Sequence, residues 1–289
     1  MTKEYKCWWC SKKGDSGEHK FKKTDIIAEF GKDYRDDENS LVLLKGGVQH
    51  SIQGPNSRLA KFERVLCKNC NNFKSKEFDL TYTYVINDLI QNHKKYETTE
   101  VIDFKELFGA NWKQKKINFI SYYVKHFCCR LARNNVEIPI QIIQFLDKEI
   151  EYLEFINFDF QHKLDLKRLF NIMNTMNYHD GFLEFGKLMK VIRNNDEIEI
   201  AYTYLTRKWV RTEMYYCDKI TKNLFPAMIE YYNSPLISYK SASILDLTKN
   251  HDYDEIVQNM NEYTQNRNVS KKDNRIREIN EYFNLHAYK

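Results

Sequence analysis

Long apolar runs are missing from this chain of 289 residues. None approaches the ~18 residues that a membrane-crossing helix needs, so no such helix is expected. The first residues, MTKEYKCWWC, hold no apolar stretch of the signal-peptide kind, and a cytoplasmic setting without export is the expectation. Glycine is scarce: there are 9, and Gly14, Gly17, Gly31, Gly46 and Gly47 all precede residue 50, which concentrates the bends near the N-terminus. No internal repeat or low-complexity tract is present. A hydrophobic content of 42% with 29% charged residues is that of a globular chain of one large or two ordinary domains.

What the chain does hold is an odd set of 7 cysteines, four of them in two CxxC pairs, Cys7/Cys10 and Cys67/Cys70. A reducing compartment disfavours structural disulfides. Two thiolate pairs supply a closed tetrahedral site for zinc, which can hold together a segment too small to fold alone. Cys128 and Cys129 lie side by side in INFISYYVKHFCCRLA and read as buried helix packing, and Cys217 reads as core.

The formal net charge of +5 is unevenly spread. Residues 1–76 carry 16 Lys and Arg against 10 Asp and Glu, and the rest of the chain is close to neutral. Lys20, Lys22 and Lys23 near the first pair, and Lys68, Lys74 and Lys76 near the second, suit phosphate contacts, although charge clusters also serve as plain solvated surface. Most of the 20 Tyr and 18 Phe fall at periodic positions and are expected in the core rather than on nucleic-acid bases.

Apolar periodicity divides the chain. LVLL and VQHSIQ read as short strands turning at Gly46-Gly47, and helix is expected from about Asn71 with a break near Phe78. Leu80, Tyr84, Leu89 and Ile90 are read as one helix face. Ile117, Ile120, Tyr123, Val124, Phe127 and Leu131 mark a longer helix ending near Asn134-Asn135, and Pro139 opens another through IQIIQFLDK. Between about 182 and 217 the pattern alternates with period two, predicting an antiparallel meander with turns at Asn194-Asn195-Asp196 and Thr206-Arg207. DEIVQNMNEYTQNR and KKDNRIREINEYFNL read as terminal helices. The fold class expected is α+β: a zinc module over 1–80, then a mainly helical region over 81–289 that contains the meander.

Glu18, His19 and Asn71 are not needed for zinc. A carboxylate oxygen from Glu18 and an amide oxygen from Asn71 would give a hard divalent cation two protein ligands, an open oxygen site that favours Mg²⁺ or Mn²⁺. His19, next in sequence and pointing the other way on an extended strand, suits a general base because imidazole titrates near neutrality. His50 is read as a packing or surface residue of a strand, His126 and His162 as helix residues with no metal role, and Glu77 and Asp79 as surface charges.

CWWC, GEH, GPNS and LCKNCNN, in that order, resemble the zinc-containing branch of the HNH (ββα-metal) endonucleases, in the variant with Asn after the last cysteine. The resemblance covers roughly the first 80 residues. It implies a treble-clef module in which Cys7, Cys10, Cys67 and Cys70 hold structural zinc. Glu18 and Asn71 would bind the catalytic cation, His19 would be the general base, and Asn56 would hold the active loop. The family's usual acid is Asp and its usual last residue His, so Glu18 and Asn71 depart from the pattern; the 56 residues between Cys10 and Cys67 imply an insertion. The implied activity is hydrolysis of DNA phosphodiesters, with RNA as the lesser alternative, leaving a 5′-phosphate and a 3′-hydroxyl. A role in defence against foreign DNA belongs to the same implication. A homodimer or protein partner would use the C-terminal region. The competing expectation is a non-catalytic zinc module that binds nucleic acid through its basic face.

Overall fold

The computed structural model describes residues 5–31, 41–45, 48–52, 54–62, 64–153, 156–164, 166–167, 183–186, 188–192, 198–217 and 228–242. Helix and strand are mixed throughout, as in an α+β chain. The terminal helices expected beyond residue 250, the Gly46-Gly47 and Asn194-Asn195-Asp196 turns, and the surroundings of Cys217 lie outside the described residues.

The two cysteine-bearing segments come together through main-chain bonds. Cys7 N–H donates to Lys12 O at 2.7 Å and Ser11 N–H to Cys7 O at 2.8 Å, closing a tight knuckle in which Ser11 takes φ +58°. Gly14 lies so close to the 61–66 segment that a Cβ would meet Arg64 O at 2.2 Å, so only glycine fits there. Isolated antiparallel bridges pair Ser16 with Leu66 and His19 with Lys61. The short helix α1 (Lys23–Phe30) and the hairpin of β1 (Leu41–Lys45) and β2 (Val48–Ile52) are inserted between these two extended segments. The second segment runs straight into Cys67, a π-helical turn over Asn69–Lys74, and α2 (Lys76–Gln91). The break falls at Ser75, three residues before the expected position.

Helix α2 buries Phe78, Tyr82, Val85, Ile86 and Leu89. Leu80 and Tyr84, expected on the core face, are instead about half exposed. Positions 78, 82, 85, 86 and 89 form a full 3.6-residue stripe, and 80 and 84 lie on the opposite side. Short elements α3 (His93–Thr99), β3 (Val101–Asp103) and α4 (Phe104–Phe108) follow, with Asp103 capping α4 by accepting from Lys105 N at 2.8 Å and Glu106 N at 3.1 Å.

The central element is α5 (Trp112–Arg133), which ends at Asn134-Asn135, where Asn135 takes φ +57°. It is buried on nearly every side, including Lys116 and Lys125. Lys116 Nζ bonds the main-chain carbonyls of Tyr231, Ser234 and Leu236, which satisfies its donors without a counter-charge. Pro139 precedes α6 (Ile140–Leu146) in extended conformation, acting as its N-cap residue rather than its first turn.

A seven-stranded sheet of β3, β4 (Ile156–Lys163), β5 (Leu183–Phe185), β6 (Met189–Ile192), β7 (Ile198–Arg207), β8 (Val210–Cys217) and β9 (Leu236–Ala242) lies against α5. A short helix, α7 (Met228–Asn233), precedes β9. The order is β3-β9-β4-β8-β7-β5, with β6 also pairing β7; only β4 and β9 are parallel. Strands β6, β7 and β8 form the expected antiparallel meander. The β7–β8 turn is Lys208-Trp209, not Thr206-Arg207, because Arg207 still pairs Val210 across the ladder and Lys208 takes the turn at φ +52°. Phe119 of α5 stacks on Phe160 of β4, Tyr123 packs tilted on Phe158 and edge-on to Phe160, and Tyr122 stacks on Tyr82 of α2 with ring centroids 3.7 Å apart. One continuous core therefore joins residues from Cys7 to Tyr239.

Candidate metal and catalytic site

The sulfur atoms of Cys7, Cys10, Cys67 and Cys70 all lie within 4.8 Å of one another, and Cys10 Sγ is 3.5 Å from Cys67 Sγ. Zinc–thiolate bonds of ~2.3 Å in a tetrahedron put sulfurs ~3.8 Å apart, so the donor set fits zinc. The thiol chemistry agrees. Crowding and burial push the Cys7 and Cys70 thiols up, whereas Cys67 is held down to about 7, against its desolvation, by the Cys70 N–H and the neighbouring thiols. Like groups packed this tightly cannot all ionise alone, and a dication at their centre lets them.

Glu18 lies on the extended segment that starts the sheet-like pair, with its side chain turned inward and 8% of the residue exposed. Lys125 Nζ is 3.0 Å from its Oε1 and His126 Nε2 is 3.3 Å from the same oxygen. Burial alone would raise a carboxyl pKa, but the ammonium, with His126, overrides it and holds Glu18 down to about 2. Both contacts fall on Oε1. Lys125 Nζ also reaches Asp79 Oδ1 at 3.1 Å and Ser75 Oγ at 3.2 Å, and Ser75 Oγ donates to the Asn71 main-chain carbonyl at 2.6 Å. Asp79 is thus an ion-pair partner inside this network rather than a surface charge. A polar chain runs from Glu18 through Lys125 and Ser75 to the main chain of Asn71.

Asn71 is 8% exposed, at the start of the π turn, where its N–H bonds Cys67 O at 3.0 Å. Its Nδ2 donates to Ser16 Oγ at 2.9 Å, but its Oδ1 is buried with no partner. An unpaired buried amide oxygen costs stability unless something donates to it or it ligates a cation. An amide oxygen of this kind is a donor that a hard cation accepts.

His19 faces the other way. Its Nε2 is 3.1 Å from Pro55 O. A carbonyl only accepts, so Nε2 carries the hydrogen and Nδ1 keeps the lone pair. Burial, followed by the charge of Lys61 across the strand pair, lowers the His19 pKa and favours the neutral ring. Asn56, next to Pro55, is exposed, and the 54–60 loop is shaped by Ser57, whose Oγ accepts from Leu59 N at 3.3 Å. The structure thus ties His19 to the loop through the residue before Asn56.

Lys125 was missed by sequence reasoning and His126 was read only as a helix residue, although a lysine inside an apolar helix stretch signals a buried cation that needs an anion. His50 is half-buried on β2, and His162 lies not on a helix but on β4, whose burial alternates along the strand, fully buried near Glu97. Among the described residues, the four cysteines are the one group of three or more His, Cys, Asp or Glu side chains close enough to share an ion. Comparison with protein-family models, with curated proteins and with solved structures returns no match. No helix among the described residues is long and apolar enough to cross a membrane.

Proposed function

We propose that the protein is a zinc-stabilised, divalent-cation-dependent endonuclease of the HNH type that hydrolyses phosphodiester bonds in DNA. The observation that carries this reading is the bond from His19 Nε2 to the Pro55 carbonyl. It leaves Nδ1 as the proton acceptor of a residue next in sequence to a carboxylate held ionised. Neutral imidazole in that tautomer takes a proton from water attacking a phosphate. The layout supports the same reading, since two antiparallel segments, one carrying Glu18-His19, lead into a helical turn over Asn69–Lys74 that holds Asn71. Glu18 Oε2 and Asn71 Oδ1 would hold a Mg²⁺ or Mn²⁺ ion, which would stabilise charge on the phosphate and the departing oxygen. Lys125 fixes Glu18, and the zinc thiolates fix Asn71 at its helix start.

A second reading has its own support. Lys125 and His126 already engage Glu18, as in a structural ion pair, and that favours a zinc-stabilised module that binds nucleic acid without cleaving it. The two readings part in a plasmid assay. His19→Ala is expected to keep its zinc and fold while losing Mg²⁺- or Mn²⁺-dependent nicking by at least ~100-fold. Absence of Mg²⁺- or Mn²⁺-dependent nicking by the wild type would refute the nuclease reading, and unchanged nicking by His19→Ala would refute His19 as its base.

A further inference from the structure

We propose that Lys61 is a phosphate-binding residue of this site, its ammonium laid beside His19 to take a backbone phosphate oxygen of the nucleic acid. This rests on the nuclease reading for its location next to the reacting bond. Phe62 N–H donates to Glu18 O at 2.7 Å and Lys20 N–H to Ala60 O at 2.8 Å, on either side of the His19/Lys61 bridge. That pattern makes His19 and Lys61 a non-hydrogen-bonded antiparallel pair, the kind whose side chains stand closest on a common face. Glu18 belongs to the opposite face. Gly17, two residues before His19, is on the His19 face. A Cβ there would lie 3.7 Å from both Cβ and Cδ of Lys61, so the lysine stem runs across the bare glycine.

Two neighbouring lysines are already engaged. Lys20 Nζ donates to Leu59 O at 2.6 Å, and Lys22 Nζ to Asp79 O and Thr83 Oγ1, both at 2.5 Å. These two were expected to meet phosphate and are instead tied to the protein's own oxygens. Lys61 is half-buried, and no described carboxylate pairs with it. A cation beside a candidate general base, with no internal anion, has the chemistry to recognise the phosphodiester on which that base acts.

The test uses full-length, zinc-loaded protein carrying His19→Ala, so that binding is read without cleavage. Affinity for a duplex DNA oligonucleotide and for RNA of the same sequence is measured by fluorescence anisotropy across a KCl series in Mg²⁺. Adding Lys61→Met is expected to weaken binding about five- to tenfold and to flatten the slope of log K against log salt by about one, with recovery in Lys61→Arg. The probe that shows this change identifies the polymer. Equal zinc content shows that the variants are folded. Unchanged affinity and slope in Lys61→Met, or no binding of either probe by the parent, overturns the inference. A wild type that does not cleave overturns the nuclease reading, and cleavage by His19→Ala at the wild-type level overturns His19 as its base, while the binding series still decides Lys61.

Discussion

Replacing Lys125 with methionine removes a fully buried ammonium that stands 3.0 Å from Glu18 Oε1, 3.1 Å from Asp79 Oδ1 and 3.2 Å from Ser75 Oγ. Methionine keeps most of the stem volume, so the change is chiefly electrostatic. Glu18 is then left as a buried carboxylate without its main counter-ion. Its pKa of about 2, against an ordinary value of ~4.3, corresponds to ~3 kcal/mol of stabilisation of the ionised form, and breaking buried pairs by removing one partner costs about 3–5 kcal/mol. With a urea m-value near ~3 kcal/mol/M, the unfolding midpoint is expected to fall by about 1–1.5 M at pH 7 without added Mg²⁺. Lys125→Met/Glu18→Gln is expected to regain part of that loss, because no unpaired charge remains. The pH dependence has a fixed sign. A carboxyl depressed in the folded state stabilises above its unfolded pKa of ~4.3, and that stability disappears as pH falls towards about 2. The wild type should therefore lose stability across that window, and Lys125→Met should lose little more there. Tryptophan fluorescence during urea unfolding checks each point. A midpoint shift under ~0.3 M for Lys125→Met would refute the ion-pair reasoning.

Two further outcomes test other parts of the structure. Cys67→Ser removes a thiolate from the zinc set and is expected to abolish stoichiometric zinc and the folded N-terminal segment, since structural zinc contributes about 10 kcal/mol or more to such modules; zinc release with a colorimetric chelator and circular dichroism read it. On α2, Leu89→Ala is expected to cost about 2–5 kcal/mol, whereas Leu80→Lys should fall within ~0.5 kcal/mol of wild type, by urea denaturation.

The parts legible in the sequence were those set by neighbours in the chain. Cys7/Cys10 and Cys67/Cys70 announced themselves because CxxC spacing presents two thiolates to one ion, and the cluster formed. Helix α5 was legible from Ile120, Tyr123, Val124, Phe127 and Leu131, all buried. The meander was legible from its alternation. What failed depended on distant chain. Leu80 and Tyr84 carry apolar character but face away from α5, and only the five-residue stripe of α2 would have placed them outside. Lys125 sits in the apolar run of α5 with nothing near in sequence to neutralise it, and its anions, Glu18 and Asp79, come from other elements. Lys20 and Lys22 looked like phosphate ligands because charge density was visible, whereas the carbonyls and hydroxyl that hold them were not.

The pairing of early acids with late bases sets an order of events during synthesis. The four cysteines are complete once residue 70 has been made, yet Glu18 meets its counter-ion only after α5 has emerged. Asp25 and Glu29 wait longer still, for Arg207, whose guanidinium lies 2.9 Å from an oxygen of each. The four-cysteine cluster can therefore assemble on the ribosome while three carboxylates destined for burial stay hydrated. The interior around Glu18 closes only when the middle of the chain arrives to neutralise it.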